Sequence, residues 1–450
     1  MEAPGDVSRP AAHEVLLTVH VDGRSVTLPL DSVAETARAA LGGPVTAGRE
    51  LLVAGHGRWP MRALESNDER SYELFVRGYG LLGGNDRRQV EAAQALLQQA
   101  VNRDPRFARA IAARGYASWR QYFAGWSGQS EALQDALRDV EAALEVDPGS
   151  VGAHMTFIRA CWDMGWHEKA LEAGRTIHAR NPESLDATVA FARSLNNAGL
   201  AQLALPLLDR VLAEDPEHPS AVKLAVWCRL MVEDYEGAVD AAGEHLARTP
   251  TDANTRWAVA VAQSRVPALA PLAAGTARDG LAADPGDVTL WVLLGYLHRN
   301  AGDQDLAQTA WQEGLRTVPV EANQRTLAWR ANLLAAVGDR PGADRAVDAL
   351  VGGDPHNGYL RYRMAHVLAE NGRQANAVDM LARAAAEGFL SVQLLRQELS
   401  LGLAPLGATA EFAAVLETMD RAVARCRRQY AADLPEAPRP ADHPGEDPRA

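Results

Sequence analysis

The sequence predicts a mainly α-helical solenoid of about nine stacked helix pairs, preceded by a small β-hairpin-plus-helix unit. Three observations carry this. Prolines recur at Pro105, Pro148, Pro182, Pro216, Pro250, Pro285, Pro319 and Pro355, so that neighbours lie 43, 34, 34, 34, 35, 34 and 36 residues apart. A fixed period of this size marks a chain of repeated supersecondary units, each too small to bury its apolar face alone. With each proline set as position 32, large apolar residues fall at positions 4, 7, 11 and 24, the spacing of helix faces. A small residue stands at position 20: Ala170, Ala204, Ala238, Ala307, Ala343 and Ala377. The ninth unit starts near Gly358 and runs to Gly388-Phe389-Leu390 without a closing proline.

Each recurring position has a physical cause. The alanine lets the second helix of a unit, helix B, approach the first, helix A. Gly165, Gly199, Gly302, Gly338 and Gly372 stand near position 15, where helix A must end. Glycine accepts the left-handed backbone of a helix C-cap. Proline after helix B cannot continue it and restrains the link to the next unit. The unit starting at Val288 shows the pattern best, with Trp291, Leu294, Gly295 and His298 on helix A, Gly302 at the turn, and Ala307 and Trp311 on helix B. Phe191, Leu195, Gly199, Ala204, Leu208 and Val211 repeat it before Pro216, as do Phe157, Cys161, Gly165, Ala170 and Ile177 before Pro182.

The period and these residues resemble the tetratricopeptide repeat (TPR) family over roughly residues 70–390. The resemblance implies a right-handed superhelix whose concave wall is lined by helix A residues at positions 2, 5, 9, 12 and 13. Here those positions include Arg159, Trp162, Arg193, Asn196, Asn197, Lys223, Trp227, Tyr296, Arg299, Asn300, Asn332, Tyr359, Tyr362 and His366. Arginine and asparagine can hydrogen-bond an extended peptide and its carboxylates, and tryptophan and tyrosine offer rigid anchoring area. These residues are the candidate partner-binding site, and another protein or peptide is the expected partner. Ser71-Tyr72-Glu73-Leu74-Phe75 through Leu82, with Gly388-Phe389-Leu390, Leu403-Ala404-Pro405-Leu406 and Phe412, are similar to the opening and close of TPR cassettes attached to bacterial adenylate cyclases, kinases and transcription regulators. That implies signalling or assembly by protein contact.

Two units depart from the pattern. The unit ending at Pro148 carries nine extra residues around Gln121-Tyr122-Phe123-Ala124-Gly125-Trp126, which extend helix A or its loop. In the unit ending at Pro285, Pro267 and Pro271 predict a helix A that kinks or stops early. Beyond the array, residues 391–430 read as two amphipathic capping helices, Val392 to Leu399 and Ala410 to Arg428, because a solenoid must cover its exposed end. The Pro-rich acidic stretch 431–450 and residues 1–13 read as disordered.

Residues 14–69 form a separate α+β unit. Glu14 to Val21, Asp22-Gly23 and Arg24 to Leu30 are a hairpin signal; Ser32 to Leu41 and Ala47 to Ala54 read as short helices. The order is similar to the start of an OmpR-type winged-helix domain, which implies a regulator with a TPR sensor as the alternative function. A plain cap on the solenoid, a degenerate winged helix and a ubiquitin-like unit all remain open. No Arg, Lys, Asn or Gln-bearing recognition helix follows Trp59, where the chain enters Glu65-Ser66-Asn67-Asp68-Glu69.

Composition narrows the function classes. Lys and Arg number 45 against 58 Asp and Glu, a net charge of -13 that opposes nucleic acid and anionic membranes unless basic residues cluster. The richest basic patch, Arg425-Cys426-Arg427-Arg428, is short. No run of about 18 apolar residues offers a membrane span, and no basic-then-apolar leader follows Met1, so a cytoplasmic protein is expected. Cys161, Cys228 and Cys426 are far apart and form no CxxC pair, which predicts reduced thiols without zinc. His154, His167 and His178 do not share a helix face with a carboxylate, and Gly55-His56-Gly57-Arg58 lacks a phosphate-loop pattern. No metal, cofactor or catalytic role is therefore expected.

Overall fold

The computed structural model describes residues 66–430, apart from 67, 83–86, 125, 127–128, 250–251, 319–323 and 353–357, and ahead of them the backbone of four strands. The expected helix at Ser32 to Leu41, both terminal segments and Pro250, Pro319 and Pro355 lie outside the described residues.

The strands are β1 (Leu16–Val21), β2 (Arg24–Pro29), β3 (Arg49–Val53) and β4 (Gly57–Met61). All neighbours are antiparallel in the order β2-β1-β3-β4, with Val19 opposite Val26 on one side of β1 and Leu51 on the other. A short helix over Ala47 to Ala54 is not formed. That stretch is β3, because Leu51, Leu52 and Val53 face a strand edge of β1 that would otherwise lack hydrogen-bond partners.

Helices α1 (Glu69–Leu81) and α2 (Arg87–Arg103) make the first pair, followed by α3 (Ala108–Ala124) with α4 (Gln129–Val146) and α5 (Val151–Asp163) with α6 (His167–Arg180). The fourth to sixth pairs are α7 (Leu185–Asn197) with α8 (Ala201–Glu214), α9 (Pro219–Met231) with α10 (Tyr235–Arg248), and α11 (Ala253–Arg265) with α12 (Ala270–Ala283). The last three are α13 (Val288–Asn300) with α14 (Gln304–Thr317), α15 (Gln324–Ala336) with α16 (Arg340–Gly352), and α17 (Gly358–Glu370) with α18 (Gln374–Ala386). After them come α19 (Val392–Glu398), a 3-10 turn (Ala404–Leu406) and α20 (Ala410–Tyr430).

Local rules explain the pairs. Ala170, Ala204, Ala238, Ala307, Ala343 and Ala377 all have no exposed surface, as close helix contact demands. Gly165, Gly199, Gly302, Gly338 and Gly372 sit at φ between 70° and 89°, the left-handed region that costs other residues about 1–2 kcal/mol. Only the fifth pair puts another residue there, Glu233 at φ 66°. Two residues past Pro148, Pro182, Pro216 and Pro285 stands an N-cap: Ser150, Ser184, His218 and Asp287 accept from the amides three residues on, satisfying donors a helix start leaves orphaned. Proline and cap together set the turn between units.

Both expected irregularities resolve in favour of longer or regular helices. The extra residues of the second unit lengthen both helices and not helix A alone: α3 runs 17 residues where α5 runs 13, and α4 runs 18 where α6 runs 14. In the sixth pair α11 keeps the ordinary 13 residues; Pro267 falls beyond its end and Pro271 lies in the first turn of α12, where a missing N–H costs nothing.

The stack closes on itself. Gly165 at the turn of the third pair meets Glu387 and Gly388 at the end of the ninth, and the ring Nε2 of His167 meets the Gly388 carbonyl. Trp162 and Tyr359 touch across the interior at 5.9 Å. The segment read as a cap packs on α18, yet it also runs back over the array. Residues 389–402 cross the ends of α9, α11 and α13, and α20 continues over the third and fourth turns, where Val423 covers Gly199 and Tyr430 Oη donates to the Glu168 carbonyl at 3.1 Å.

Candidate functional site

The inner wall is built by the helices α5, α7, α9, α11, α13, α15 and α17, and it divides into two unlike halves. In the far half the wall is filled by the chain itself. Gln397 Nε2 donates to the Leu230 carbonyl and to Tyr235 Oη, both at 3.2 Å. Arg265 donates to the Gln397 carbonyl, Asn300 Nδ2 to the Ser400 carbonyl at 2.7 Å and Arg299 to the Leu401 carbonyl at 3.1 Å. Phe389 stacks on Tyr362 at 5.0 Å. These contacts bury α17 on every side: all residues from Leu360 to Ala369 are buried.

A charged cluster lies beneath this segment. Glu398, 2% exposed, stands 3.5 Å from Arg363 and 2.6 Å from Nε2 of His366. Arg363 also donates to Tyr362 Oη and to Asn332 Oδ1, and Asn332 Nδ2 is 2.7 Å from His366 Nδ1. That chain of bonds leaves the His366 proton on Nε2, the nitrogen beside Glu398. Burial raises the Glu398 carboxyl, but His366 and Arg363 outweigh it and hold the group at about 2. Burial lowers His366, so a neutral imidazole sits between the carboxylate and the amide. The guanidinium face of Arg363 lies 3.5 Å over Trp329. An ion pair this deep is tolerable only when its hydrogen bonds are nearly complete.

Of the candidate groove residues, Tyr296, Asn332, Tyr362 and His366 are therefore fully buried under the chain's own residues. Arg299 grips Glu370 as well as Leu401, and Asn300, although exposed, is bound to Ser400. Tyr359 accepts from Trp329 Nε1 and holds Arg325 at 4.0 Å over its ring. None of these presents a vacant groove surface in this structure.

The near half differs. Arg159, Trp162, Arg193, Asn196, Asn197 and Trp227 are each half-buried, and Lys223 is exposed. Lys223 is 3.0 Å from Asp252, whose carboxyl burial raises but His245 and Lys223 bring below the usual range. Asn196 accepts from Cys228 Sγ at 3.4 Å, and Trp227 leans on Trp257 at 5.7 Å. Arg159 lies 4.9 Å over Tyr116 and 5.6 Å from Trp119. Phe123 completes an aromatic row with Trp119 at 4.9 Å, and Arg325 lies 3.8 Å from its ring.

Sequence reasoning missed Arg363, Glu398, Gln397 and Arg325. Arg363 sits off the groove positions, but two arginines, Arg361 and Arg363, within the run from Leu360 to Ala369 are a signal that counter-charges must lie nearby. The thiols of Cys161 and Cys228 are buried, free and pushed up to about 12 by that burial. Among the described residues no group of three or more His, Cys, Asp or Glu could hold a metal ion, and no helix is long and apolar enough to cross a membrane.

The family model named Tetratricopeptide repeat matches residues 189–253, from within α7 into the start of α11. The match covers two of the pairs that repeat every 34 residues. The pairs of this stretch are tetratricopeptide repeats. No curated protein sequence matches the chain. Among solved structures, a TPR protein from Parabacteroides merdae is 16% identical over 59% of this chain and 100% of its own, at a TM-score of 0.41. Cut9 with Hcn1, from an APC/C hetero-tetramer, is 14% identical over 78% of this chain and 63% of that one, at 0.42. A monomeric mutant of IFIT1 solved with Gppp-AAAA is 14% identical over 71% of this chain and 82% of its own, at 0.43.

Proposed function

We propose that the chain is a protein-interaction scaffold that holds an extended segment of a partner along the near half of its inner wall, on the third to fifth helix pairs. One observation carries the reading. Position 9 of the inner helices is half-exposed at Arg159, Arg193 and Trp227, whereas at Tyr296, Asn332 and His366 it is buried under residues 389–402. A wall that already seats one segment, the short helix α19 with its flanks, in its far half has the hydrogen-bonding groups to hold another chain in its near half. Asparagine and arginine supply the polar contacts there, and Trp162 and Trp227 the apolar anchors.

A photo-crosslinking amino acid placed at Asn197 tests this against the same residue placed at Leu306, which is 51% exposed on the outer helix α14. The Asn197 position is expected to trap one partner in its native cell extract, identified by mass spectrometry and absent from the Leu306 lane. Equal trapping of the same protein at both positions rules the inner-wall reading out.

A further inference from the structure

The inner wall as it stands leaves no lane for a second chain beside Trp162. That residue, an anchor in the scaffold reading, has its ring 5.9 Å from the ring of Tyr359 on the ninth pair. Two layers of chain pack about 10 Å apart, so rings already in contact exclude an extended segment between them. A partner can lie here only if the third and ninth pairs first move apart.

The seam that holds them together has few parts. The final turn of α3, Gln121 to Ala124, lies beyond the 13 residues of an ordinary inner helix. It brings Phe123 to the first turn of α15, where Arg325 lies 3.8 Å over the Phe123 ring and 4.0 Å over that of Tyr359. One guanidinium is thus sandwiched between the second pair and the ninth. Among the described residues Arg325 has no carboxylate partner, and its buried Nη1 has no hydrogen-bond partner. One pair further on, Gly165 meets Glu387 and Gly388, and His167 Nε2 meets the Gly388 carbonyl. Among the described residues no helix of the second or third pair packs along a helix of the eighth or ninth. The helix α20 crosses the seam, packed on α18 at one end and bonded through Tyr430 to the Glu168 carbonyl at the other. A cation between two rings and single hydrogen bonds are weak beside the apolar packing within a pair. The far side of the seam, by contrast, is one body. Residues 389–402 tie Leu230 of the fifth pair, Arg265 of the sixth and Asn300 of the seventh to Arg363 of the ninth.

We propose that this seam is a gate on the inner wall: Arg325 latches the second pair to the ninth through Phe123 and Tyr359, and a partner reaches Trp162 and Asn197 only when the latch parts and the ring opens. The proposal rests on the scaffold reading above and names how access to that site is controlled. The opening is a hinge motion of two packed bodies, the first four pairs against the five that residues 389–402 tie together. It also gives the insert of the second unit a role, since the added turn of α3 is what carries Phe123 to the latch.

Two measurements on the full chain test the gate. Spin labels at Gln134 on α4 and Asp348 on α16, both exposed, report the width of the seam by double electron–electron resonance. Arg325→Ala and Phe123→Ala, each checked for native helical circular dichroism, should move the distance distribution outward. A distribution that neither change moves overturns the latch. In the second measurement, cysteines replace Phe123 and Arg325, and the pair is either joined by a short bis-maleimide or capped separately with N-ethylmaleimide. The same chain is then obtained with its seam shut or free. With the photo-crosslinking amino acid at Asn197, the capped chain should trap its partner about tenfold more than the joined chain, because apparent affinity scales with the open fraction. Equal trapping by the two forms overturns the gate and leaves the scaffold reading standing. No trapping by either form removes the scaffold reading, and the gate to that site falls with it.

Discussion

Glu398→Ala destabilises the chain by about 3–5 kcal/mol, because it strands Arg363 as an uncompensated charge in the protein interior. Arg363 is fully buried and its Nε already lacks a partner, so no water-facing route relieves it. The loss shows in the guanidinium unfolding midpoint of the variant. A second change identifies the cause: Arg363→Met combined with Glu398→Leu removes both charges and should cost much less than Glu398→Ala alone. The pH dependence has a defined sign. With the folded carboxyl at about 2 against an ordinary 4.5, the stability Glu398 supplies is complete above about 4.5 and is lost as the pH falls toward 2. A second loss begins earlier on acidification. Burial lowers His167 to about 4 from an ordinary 6.5, so its contribution is complete above 6.5 and fades between 6.5 and 4. The contact between the third and ninth pairs should therefore weaken as the solution is acidified through that range, together with the surroundings of His154, His178, His298 and His366, which burial also lowers.

Trp311→Ala is expected to cost about 3–5 kcal/mol, the range for emptying a buried tryptophan site. Trp311 is 2% exposed, donates from Nε1 to the Val292 carbonyl at 3.2 Å and meets Tyr296 edge-on at 5.6 Å. Its ring lies directly against Gly295, where any Cβ would collide with it. The seventh pair is thus locked by one large and one absent side chain. Because stability in a repeat array is partly local, hydrogen exchange should accelerate in α13 and α14 and their neighbours before it does in α1 or α2. Uniform acceleration along the whole chain would contradict that placement.

The repeat frame was legible because it rests on local rules written many times over. Alanine at each A–B contact, glycine at each turn and proline after each B helix recur whatever the superhelix does, so Ala204, Gly199 and Pro216 could be placed without coordinates. The second unit's insert was only half legible, because it lengthens helix B as much as helix A. The groove was less legible. Tyr296 and Arg193 occupy equivalent positions, and nothing in the period says that one is roofed by Gln397 to Leu401 and the other is not. That difference depends on how the stack curves until its ninth pair reaches its third, a contact between Gly165 and Gly388 that no spacing announces. Glu398 was read as one polar residue of an amphipathic cap; its partner Arg363 lies 35 residues upstream on another element. At the chain's start, Leu51 to Val53 form a strand because β1 offers an edge, which is again a partner the local sequence does not display.

The account depends most on the back-folded segment that fills the far half of the wall, and a disulfide test addresses it directly. Asn300 and Ser400 are joined by a 2.7 Å side-chain to backbone bond, and neither is buried, so cysteines at both positions stand close to one another in the folded chain and can meet as side chains move. The native thiols are buried, Cys161 and Cys228 held up near 12, and will not compete. Mild oxidation of N300C/S400C should yield an intrachain disulfide in the monomer, seen by mass spectrometry, and no such bond when the chain is first unfolded in guanidinium. Free thiols after oxidation of the folded protein, or bonds only between chains, would show that residues 389–402 do not lie in the groove.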